Sequence, residues 1–531
     1  MEAKEQESPA TMMPSDTTPV QIEAVPDAEQ AKGASLSPPA IQTPALSFPR
    51  TIGLVLTLAS SSFLNTSITL ACVIILPAIG RDLDIPSGNL QWVISAASLA
   101  YASTLLLWGR LADIMGRRFI FQLGLASVCI SCLVTPFAPE QVSFNIFRAL
   151  QGLGGAAATP SAVGIIFGVF PPGRSQVYAM SAFSAGFPLG NVIGNILGGI
   201  IAQSLDWRWV FWIMSAVAAC PFISSLFVVP PLARDAEIRA VPWRRRLRHL
   251  VAEMDWIGLL LSTGILILLL VSLTEGNVVG WKSPLVLTLL IVSSLLFPVF
   301  IVWERRLERM GERPPIVKLS LFGSRVYCAA QVIDFIFWAS FNNFLIFATY
   351  FYQDYQGLDV IQTTLRFLPT GITGLATVFM SSQILSHVDG YHVALWGTTC
   401  VSIACLLFAV PIPPETTYWA YGFPAMVLLT LGADTLYPGL SLFVMKSIPH
   451  EDQAMGAAIF QTIGQVGRSI GLAIATAIQL AVTDSPDRSD NIDRDALLRG
   501  YRAADWFSFA IGVVAVMIAA YSFRGAGILS K

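Results

Sequence analysis

Charged side chains inside long apolar stretches are the residues of this sequence whose types could do chemistry. Four of them stand in such stretches: Arg148, Asp334, Asp434 and Arg468. A charge at the centre of a bilayer costs about 2.5–3.5 kcal/mol on insertion scales, so a membrane protein rarely keeps one without a use for it. A carboxylate in a poorly hydrated cavity can take up and release a proton, and a nearby arginine shifts that equilibrium. The four residues indicate proton transfer, and two structural ion pairs are the alternative.

Polar neighbours on the same helix faces favour a binding cavity over isolated ion pairs. Residues three or four positions apart fall on one face of an α-helix. One such face holds Gln331, Asp334, Trp338 and Asn342, and a face of another stretch holds Gln461, Gln465 and Arg468. The amides and the indole ring would suit a small molecule with a large apolar part. An aromatic side chain at this spacing is as often a packing residue, so both interpretations stay open.

Proton coupling is expected on a carboxylate, since none of the four histidines lies deep in an apolar stretch. Asp334 shares its face with glutamine, tryptophan and asparagine, so we expect it to carry the proton. Asp434 is the second candidate, because the hydroxyls of Thr435 and Tyr437 could hold it structurally. The sequence contains no HExxH motif and no candidate catalytic triad, so we expect no enzyme activity, no metal and no cofactor.

Composition assigns the chain to the integral membrane proteins. Hydrophobic residues make up 54% of the 531 residues and charged residues 12%, against about 25% charged in soluble domains. The net charge of -2 excludes the basic surface that nucleic-acid binding needs. Seven cysteines, an odd number in apolar surroundings, do not indicate a disulfide framework.

Fourteen stretches from residue 51 onward are long enough to cross about 30 Å of hydrocarbon as helices. We therefore expect an all-α membrane protein with two six-helix bundles and a two-helix insertion. The expected division is a disordered cytoplasmic tail at 1–50, a first bundle at 51–230, basic linkers with an inserted helical hairpin at 231–325, a second bundle at 326–523 and a cytoplasmic tail at 524–531.

The distribution of basic residues predicts the orientation. Most of the 32 Lys and Arg lie in the tails and in the connections on the side of the two termini. Basic connections stay on the cytoplasmic side of a membrane. Both termini are therefore expected in the cytoplasm, and the protein is expected to be a multi-pass protein of the plasma membrane.

A ladder of glycines in the fifth stretch predicts close helix packing. Gly186, Gly190, Gly194 and Gly198 recur at every fourth position. Small residues at this spacing let two membrane helices approach closely. The spacing of Gln, Phe and two Gly from residue 176 recurs from residue 453, which aligns the fifth stretch with the thirteenth and indicates two related halves.

The connection between the second and third stretches carries a second motif. Its residues are Gly109, Arg110, Asp113, Gly116, Arg117 and Arg118. Glycines permit a tight turn, and a carboxylate can accept from exposed amides at a helix end. We expect these residues to gate conformational change, and a merely basic cytoplasmic loop is the alternative.

These motifs resemble those of the 14-helix drug:proton antiporters of the major facilitator superfamily. Residues 109–118 match the loop signature G-x-L-A-D-x-x-G-R-R, with Ile114 in place of a basic residue. Residues 148–155 resemble the fourth-helix signature and residues 186–199 the fifth-helix antiporter signature, with Asn195 in place of a proline. Within that family the chain looks closest to fungal exporters of the aminotriazole- and boron-resistance type.

The resemblance implies a substrate and proton pathway through the two bundles. In the first bundle it places Asn65, Arg148 and Gln151 on that pathway, with Asn65 standing where many relatives have an acid. The expected function is proton-coupled export of a drug, toxin or secondary metabolite by alternating access, in a monomer whose partners are the substrate, protons and lipid. A carrier of a small polar solute such as ammonium or borate is one alternative, and a non-transporting receptor or scaffold is the other.

Overall fold

The computed structural model describes residues 47–86, 90–232, 242, 244–245, 252, 254–276, 279–311, 313–413, 416–449, 452–483 and 494–524. These residues are almost entirely helical, and no β-strand occurs among them. Most of the two tails predicted at 1–50 and 524–531, and much of the basic linker after residue 230, lie outside the described residues.

Fourteen helices of 18 residues or more occur in the described part of the chain, one for each predicted stretch. They are α1 Phe48–Asp82, α2 Leu90–Met115, α3 Arg117–Val134, α4 Gln141–Val169, α5 Arg174–Ser204, α6 Arg208–Val228, α7 Trp256–Gly276, α8 Pro284–Met310, α9 Arg325–Tyr350, α10 Val360–His387, α11 Gly390–Ala409, α12 Tyr418–Lys446, α13 Gln453–Thr483 and α14 Arg494–Ser522. Thirteen of these helices have the length and hydropathy of membrane spans, and α10 is the fourteenth. The all-α prediction with fourteen spans is confirmed.

The last helix begins ten residues before the start predicted at residue 504. Its first turns bury Ala496, Leu498 and Tyr501 and expose Arg499. This amphipathic pattern lowers the average hydropathy of the segment, so the sequence makes it resemble a loop.

Helix contacts arrange the chain as two bundles and an inserted hairpin. Helices α1 to α6 contact one another, and α9 to α14 do the same. The bundles meet along two seams: the first seam is the contact of α2 with α13, and the second seam is the contact of α5 with α10. The predicted domain boundaries near residues 230 and 325 stay predictions, and they lie close to the end of α6 at Val228 and the start of α9 at Arg325.

The inserted hairpin α7–α8 covers the first seam. Leu259 and Leu266 of α7 and Phe300 of α8 share one apolar cluster with Leu106 of α2 and Ile459 of α13. Because that cluster includes side chains from both bundles, the hairpin contacts each of them along the line where they meet.

One end of the helices can be recognised as the terminus side, where α1 begins and α14 ends. Arg50 at the start of α1 donates to the carbonyl of Phe227 at the end of α6. Arg118 at the start of α3 donates to the carbonyl of Leu226, which is also near the end of α6. The α2–α3 connection therefore lies on this side, and so does the start of α13, because the backbone N–H of Met455 donates to Asp113 at the end of α2.

The glycine ladder of α5 faces α1. A Cβ on Gly190 would lie 2.6 Å from the carbonyl oxygen of Phe63, and one on Gly194 would lie 2.5 Å from that of Ser67. Gly186 and Gly198 meet the same helix one turn further along in each direction. Only glycine permits this approach of two backbones, and the ladder makes α1 and α5 a closely packed pair.

The second bundle repeats this arrangement. Gly467 and Gly471 of α13 meet the backbone of α9 at Phe335 and Ala339. Helices α5 and α13 are the two that share the spacing found in the sequence, and each packs on the first helix of its own bundle. The contacts agree with two related halves.

Candidate functional site

A cavity of about 330 Å³ lies between the two bundles. Both bundles contribute to its wall, which contains one basic and one acidic side chain among the described residues. The polar lining includes Asn65, Gln151, Asn191, Asn342, Asp434, Gln465 and Arg468, and the aromatic lining is Tyr101, Phe187, Phe337, Trp338, Phe341 and Tyr437. A large apolar wall with a few convergent polar groups is typical of a small-molecule site.

Arg468 lies over the face of Trp338. The guanidinium carbon is 3.5 Å from the ring centroid, within the range of a cation–π contact. Trp338 in turn makes edge contacts with Phe187 and Tyr437, each at 5.8 Å between ring centroids. Side chains of α5, α9, α12 and α13 thus hold the arginine and its aromatic support in place.

Asp434 lies on the wall formed by α12. The residue is 6% exposed, and its Oδ2 has no hydrogen-bond partner. The hydroxyl of Tyr437 contacts the amide of Gln461 at 2.5 Å, and that of Thr435 donates to the carbonyl of Leu431 at 2.7 Å. Neither hydroxyl donates to Asp434. The sequence suggested that these hydroxyls could hold Asp434 in a structural role, and these contacts do not do so.

Asp334 is fully buried behind the wall and does not line the cavity. Neither of its oxygens accepts a well-aligned hydrogen bond, although the Trp338 indole and the Arg468 charge lie nearby. A Cβ on Gly464 would lie 3.1 Å from Oδ2, so this glycine lets α13 approach the carboxylate. The predicted polar face of α9 is therefore split, with Asn342 on the wall and Gln331 behind it.

Arg148 is also fully buried and reaches the cavity only through another residue. Its Nη1 donates to Oε1 of Gln151 at 2.5 Å, and its Nε donates to the carbonyl of Val93 at 3.2 Å. Gln151 and Asn65 line the cavity. On the other side, Gln461 contacts the wall residue Tyr437 but is not itself on the wall.

Asp113 closes the first seam on the terminus side. Its Oδ2 accepts from the backbone N–H of Met455 at 2.9 Å, at the start of α13. Its Oδ1 accepts from Nε of Arg117 at 3.1 Å. Arg117 also donates to the carbonyl of Gly164 at 2.8 Å and to the side chain of Gln453 at 3.1 Å. The expected helix-end contact of Asp113 is thus made to the other bundle.

A second group of charges extends this closure. Arg110 forms an ion pair with Asp452 at 3.4 Å, and Lys318 forms another with the same carboxylate. Gly109 allows close contact between α2 and α13, where a Cβ would lie 3.0 Å from the carbonyl oxygen of Ala454. We call the contacts around Asp113 and Asp452 the terminus-side lock.

The remaining residues of the loop motif position the lock. Gly116 has a φ of 105°, a conformation that favours glycine, and it separates α2 from α3. Arg118 donates to the carbonyl of Leu226 at 2.7 Å within the first bundle. These two residues therefore orient the connection and do not cross the seam.

Two contributors to the lock, and one buried acid that lies outside the central cavity, were missed from the sequence. Asp452 and Lys318 lie in connections, where a charge carries no signal of its own. Asp505 is 3% exposed and lies eleven residues after the first residue of α14. It was overlooked because the predicted helix began at 504, which placed this acid at a helix end rather than inside a span.

Comparisons with known proteins agree with this arrangement. Among solved structures, the chain is similar to the human organic anion transporter MFSD10, with a TM-score of 0.60, 13% identity and coverage of 88% of this chain and 99% of that one. A proton:xylose symporter, XylE, is similar with a TM-score of 0.55, 13% identity and coverage of 88% and 95%. At these identities the likeness shows the fold alone.

Sequence relatives are named as a transporter, an efflux pump and a resistance protein. The chain is 29% identical over 439 residues to a low affinity ammonium transporter of Saccharomyces cerevisiae, covering 82% of this chain and 81% of the relative. It is 26% identical over 469 residues to the efflux pump terG of Aspergillus terreus, covering 88% and 85%. It is 25% identical over 470 residues to the aminotriazole resistance protein of S. cerevisiae, covering 86% and 81%. Because residues 55–472 also match the family model of the Major Facilitator Superfamily, the chain belongs to that superfamily of membrane transporters.

Proposed function

We propose that the protein exports a small organic molecule in exchange for protons by alternating access. One observation carries the proposal: among the described residues one acid, Asp434, lines the cavity between the bundles, and the terminus-side lock closes one end of the seam beside it. A carrier needs such a site and a closure that can be broken. A receptor or scaffold needs neither.

The lock supports alternating access because its contacts join the two bundles. Asp113, Arg117 and Arg110 belong to the first bundle, and their partners at residues 452–455 lie at the start of α13 in the second bundle. A rocking motion that opened the cavity to the terminus side would break these contacts together. We infer that they stabilise one of two states and must be exchanged for others in the second state.

Asp434 is our candidate for the proton carrier. It lines the cavity, and its Oδ2 has no hydrogen-bond partner to fix its charge state. No histidine lines the cavity among the described residues. Asp334 was the first candidate from the sequence, but it lies behind the wall near Arg468, where it would act on the proton carrier or the substrate only through that arginine.

Orientation completes the proposal. The terminus side carries the basic connections, so we place it in the cytoplasm. Relatives named as efflux pumps support movement of substrate out of the cell. On this basis the protein is a multi-pass protein of the plasma membrane, acting as a monomer on a small-molecule substrate.

Proton-driven transport in liposomes tests the function. A growth screen of a strain that lacks the gene, against toxic compounds, would first identify a transported molecule. Purified protein in liposomes should then accumulate that molecule when a pH gradient is imposed, and should lose accumulation when an ionophore collapses the gradient. Accumulation that ignores the gradient would contradict proton coupling, and absence of any flux would favour a receptor.

Transport of a small polar solute is the second candidate, because one relative is named an ammonium transporter. A bare ammonium ion or borate would contact little of an aromatic wall formed by six rings. Uptake or release of a labelled small ion at rates above those of protein-free liposomes, with no response to organic compounds, would establish this candidate instead.

A further inference from the structure

We propose that the central cavity binds organic anions, with the acidic group of the substrate docked on Arg468 and its flat apolar body against the aromatic wall. This inference deepens the proposed function and rests on it for the location of the substrate. The group recognised is a carboxylate or another planar oxyanion attached to a ring system.

The first step is that the guanidinium of Arg468 offers its donors to the cavity. The residue lines the wall and is partly exposed there. No described carboxylate forms an ion pair with it, and no described group accepts a hydrogen bond from it. A guanidinium carries five N–H donors in a planar fork that matches a carboxylate with two parallel hydrogen bonds.

The second step is that Trp338 fixes the direction of those donors. Stacking at 3.5 Å covers one face of the guanidinium, so its edge remains for a ligand. Such stacking also limits the rotamers of the arginine, and less side-chain entropy is lost when an anion binds. A lysine at this position would keep the charge but would lose both the fork and the stack.

The third step concerns the charge that balances Arg468. The acid that interacts with it electrostatically is Asp334, which lies behind the wall and forms no ion pair with it. Asp334 is fully buried and does not line the cavity. Among the described residues, no carboxylate forms an ion pair with the guanidinium on its cavity side, and an anion from solution would supply that partner.

Asp434 is a poorer docking group for a cation than Arg468 is for an anion. It is 6% exposed, and its Oδ2 is enclosed beside Pro188 and Gly374. A ligand ammonium could reach little of this carboxylate without moving α5 or α10. A proton is small enough to reach this carboxylate. Of the two charged residues on the wall, Asp434 thus carries the proton and Arg468 binds the substrate.

Ligands of one shape and three charges test the inference. Naphthoate, naphthylmethanol and naphthylmethylammonium, with the matching benzoate series, would be titrated by calorimetry into the purified full-length protein. We expect the carboxylates to bind at least about 10-fold more tightly than the alcohols or amines, since charge-assisted hydrogen bonds form only with the former. Equal or tighter binding of the amines, or no carboxylate binding at all, overturns the proposal.

Variants of Arg468 separate docking from folding. Arg468→Gln should weaken carboxylate binding at least about 10-fold and leave alcohol binding unchanged, and Arg468→Lys should fall between. Thermal unfolding of each variant shows whether it is folded, and unchanged carboxylate affinity in a folded Arg468→Gln protein refutes the assignment. If carboxylates bind but never cross the membrane of liposomes, the proposed function fails and the anion site stands. If other compounds are carried and carboxylates do not bind, the proposed function stands and the anion site fails.

Discussion

The two seams between the bundles differ in how they are held. On the first seam, Asp113 is 2% exposed and accepts from backbone and arginine donors, and Arg110 is 6% exposed. On the second seam, Arg174 contacts His387 at 2.9 Å and Gln383 donates to Tyr178 at 2.6 Å, and both contacts are exposed to solvent. The buried charged contacts of the bundle interface are thus concentrated on one seam.

This difference indicates where a rocking motion meets resistance. Buried charge-assisted hydrogen bonds contribute about 1.5–3 kcal/mol each, whereas exposed polar contacts contribute within about 0.5 kcal/mol. The second seam also packs through small residues, with Gly374 against Pro188. We therefore expect the first seam to set the balance between the two states, while the second seam serves mainly as a contact surface that can slide.

Asp113→Asn should have the largest effect. An amide accepts fewer hydrogen bonds than a carboxylate, and it leaves Arg117 buried without its counter-charge. The closed state should lose at least about 1.5 kcal/mol, which changes the balance of states by about 10-fold or more. Transport should fall by at least about that factor, while substrate affinity measured on purified protein stays within about 2-fold.

The matched control for that variant is Asp82→Asn, which removes an ion pair to Arg208 that is 30–43% exposed on its two side chains. It should leave transport near the wild-type rate. If Asp113→Asn loses substrate binding in parallel with transport, or if the two variants behave alike, the buried lock is not what controls switching.

Asp452→Asn should have an intermediate effect. This carboxylate accepts both Arg110 and Lys318, but its side chain is 15% exposed and solvent screens it in part. Pairs of this kind contribute about 0.2–1 kcal/mol, so transport should fall by about 2- to 5-fold. The loss should shrink further at high ionic strength. A salt-independent loss as large as that of Asp113→Asn would place the lock at residue 452 instead.

Gln383→Leu should have the smallest effect. It removes the exposed hydrogen bond to Tyr178 on the second seam and puts an apolar side chain in its place. Transport should stay within about 2-fold of the wild-type rate, because exposed polar contacts contribute little to either state. A 10-fold loss in this variant would show that the second seam resists opening as strongly as the first, and the comparison of the seams would fail.

The fold was predictable from the sequence because hydrophobic length and charge placement are one-dimensional signals. Each predicted stretch has its helix, and the glycine ladder does face a neighbouring helix. The start of α14 was missed because its first turns bury one face only, so that arginines lower the hydropathy of a segment that packs against the bundle. Helix boundaries are predicted poorly from hydropathy where only one face of the helix end is buried.

The types of residue at the site were predictable from the sequence, but which of them line the cavity was not. Helix periodicity placed Asp334 on one face with Trp338, yet the structure has Asp334 fully buried behind the wall and Trp338 on the wall. Asp434 was ranked second because Thr435 and Tyr437 stand near it in the sequence, whereas its exposure to the cavity depends on where α5 and α10 pass it. Asp452 closes the first seam from a connection, where no periodicity exists to mark it.

The central claim is that a proton carried by Asp434 drives export through the cavity, and one pair of assays on Asp434→Asn tests it. In liposomes, the variant should fail to accumulate the screened compound under a pH gradient, because the amide cannot release a proton. It should still exchange that compound in counterflow, since rocking needs no titratable group in the cavity. Asp334→Asn serves as the comparison and should keep a gradient-dependent component. If Asp434→Asn accumulates substrate with the pH dependence of the wild type, while Asp334→Asn does not, the proton is carried behind the wall and the account is wrong.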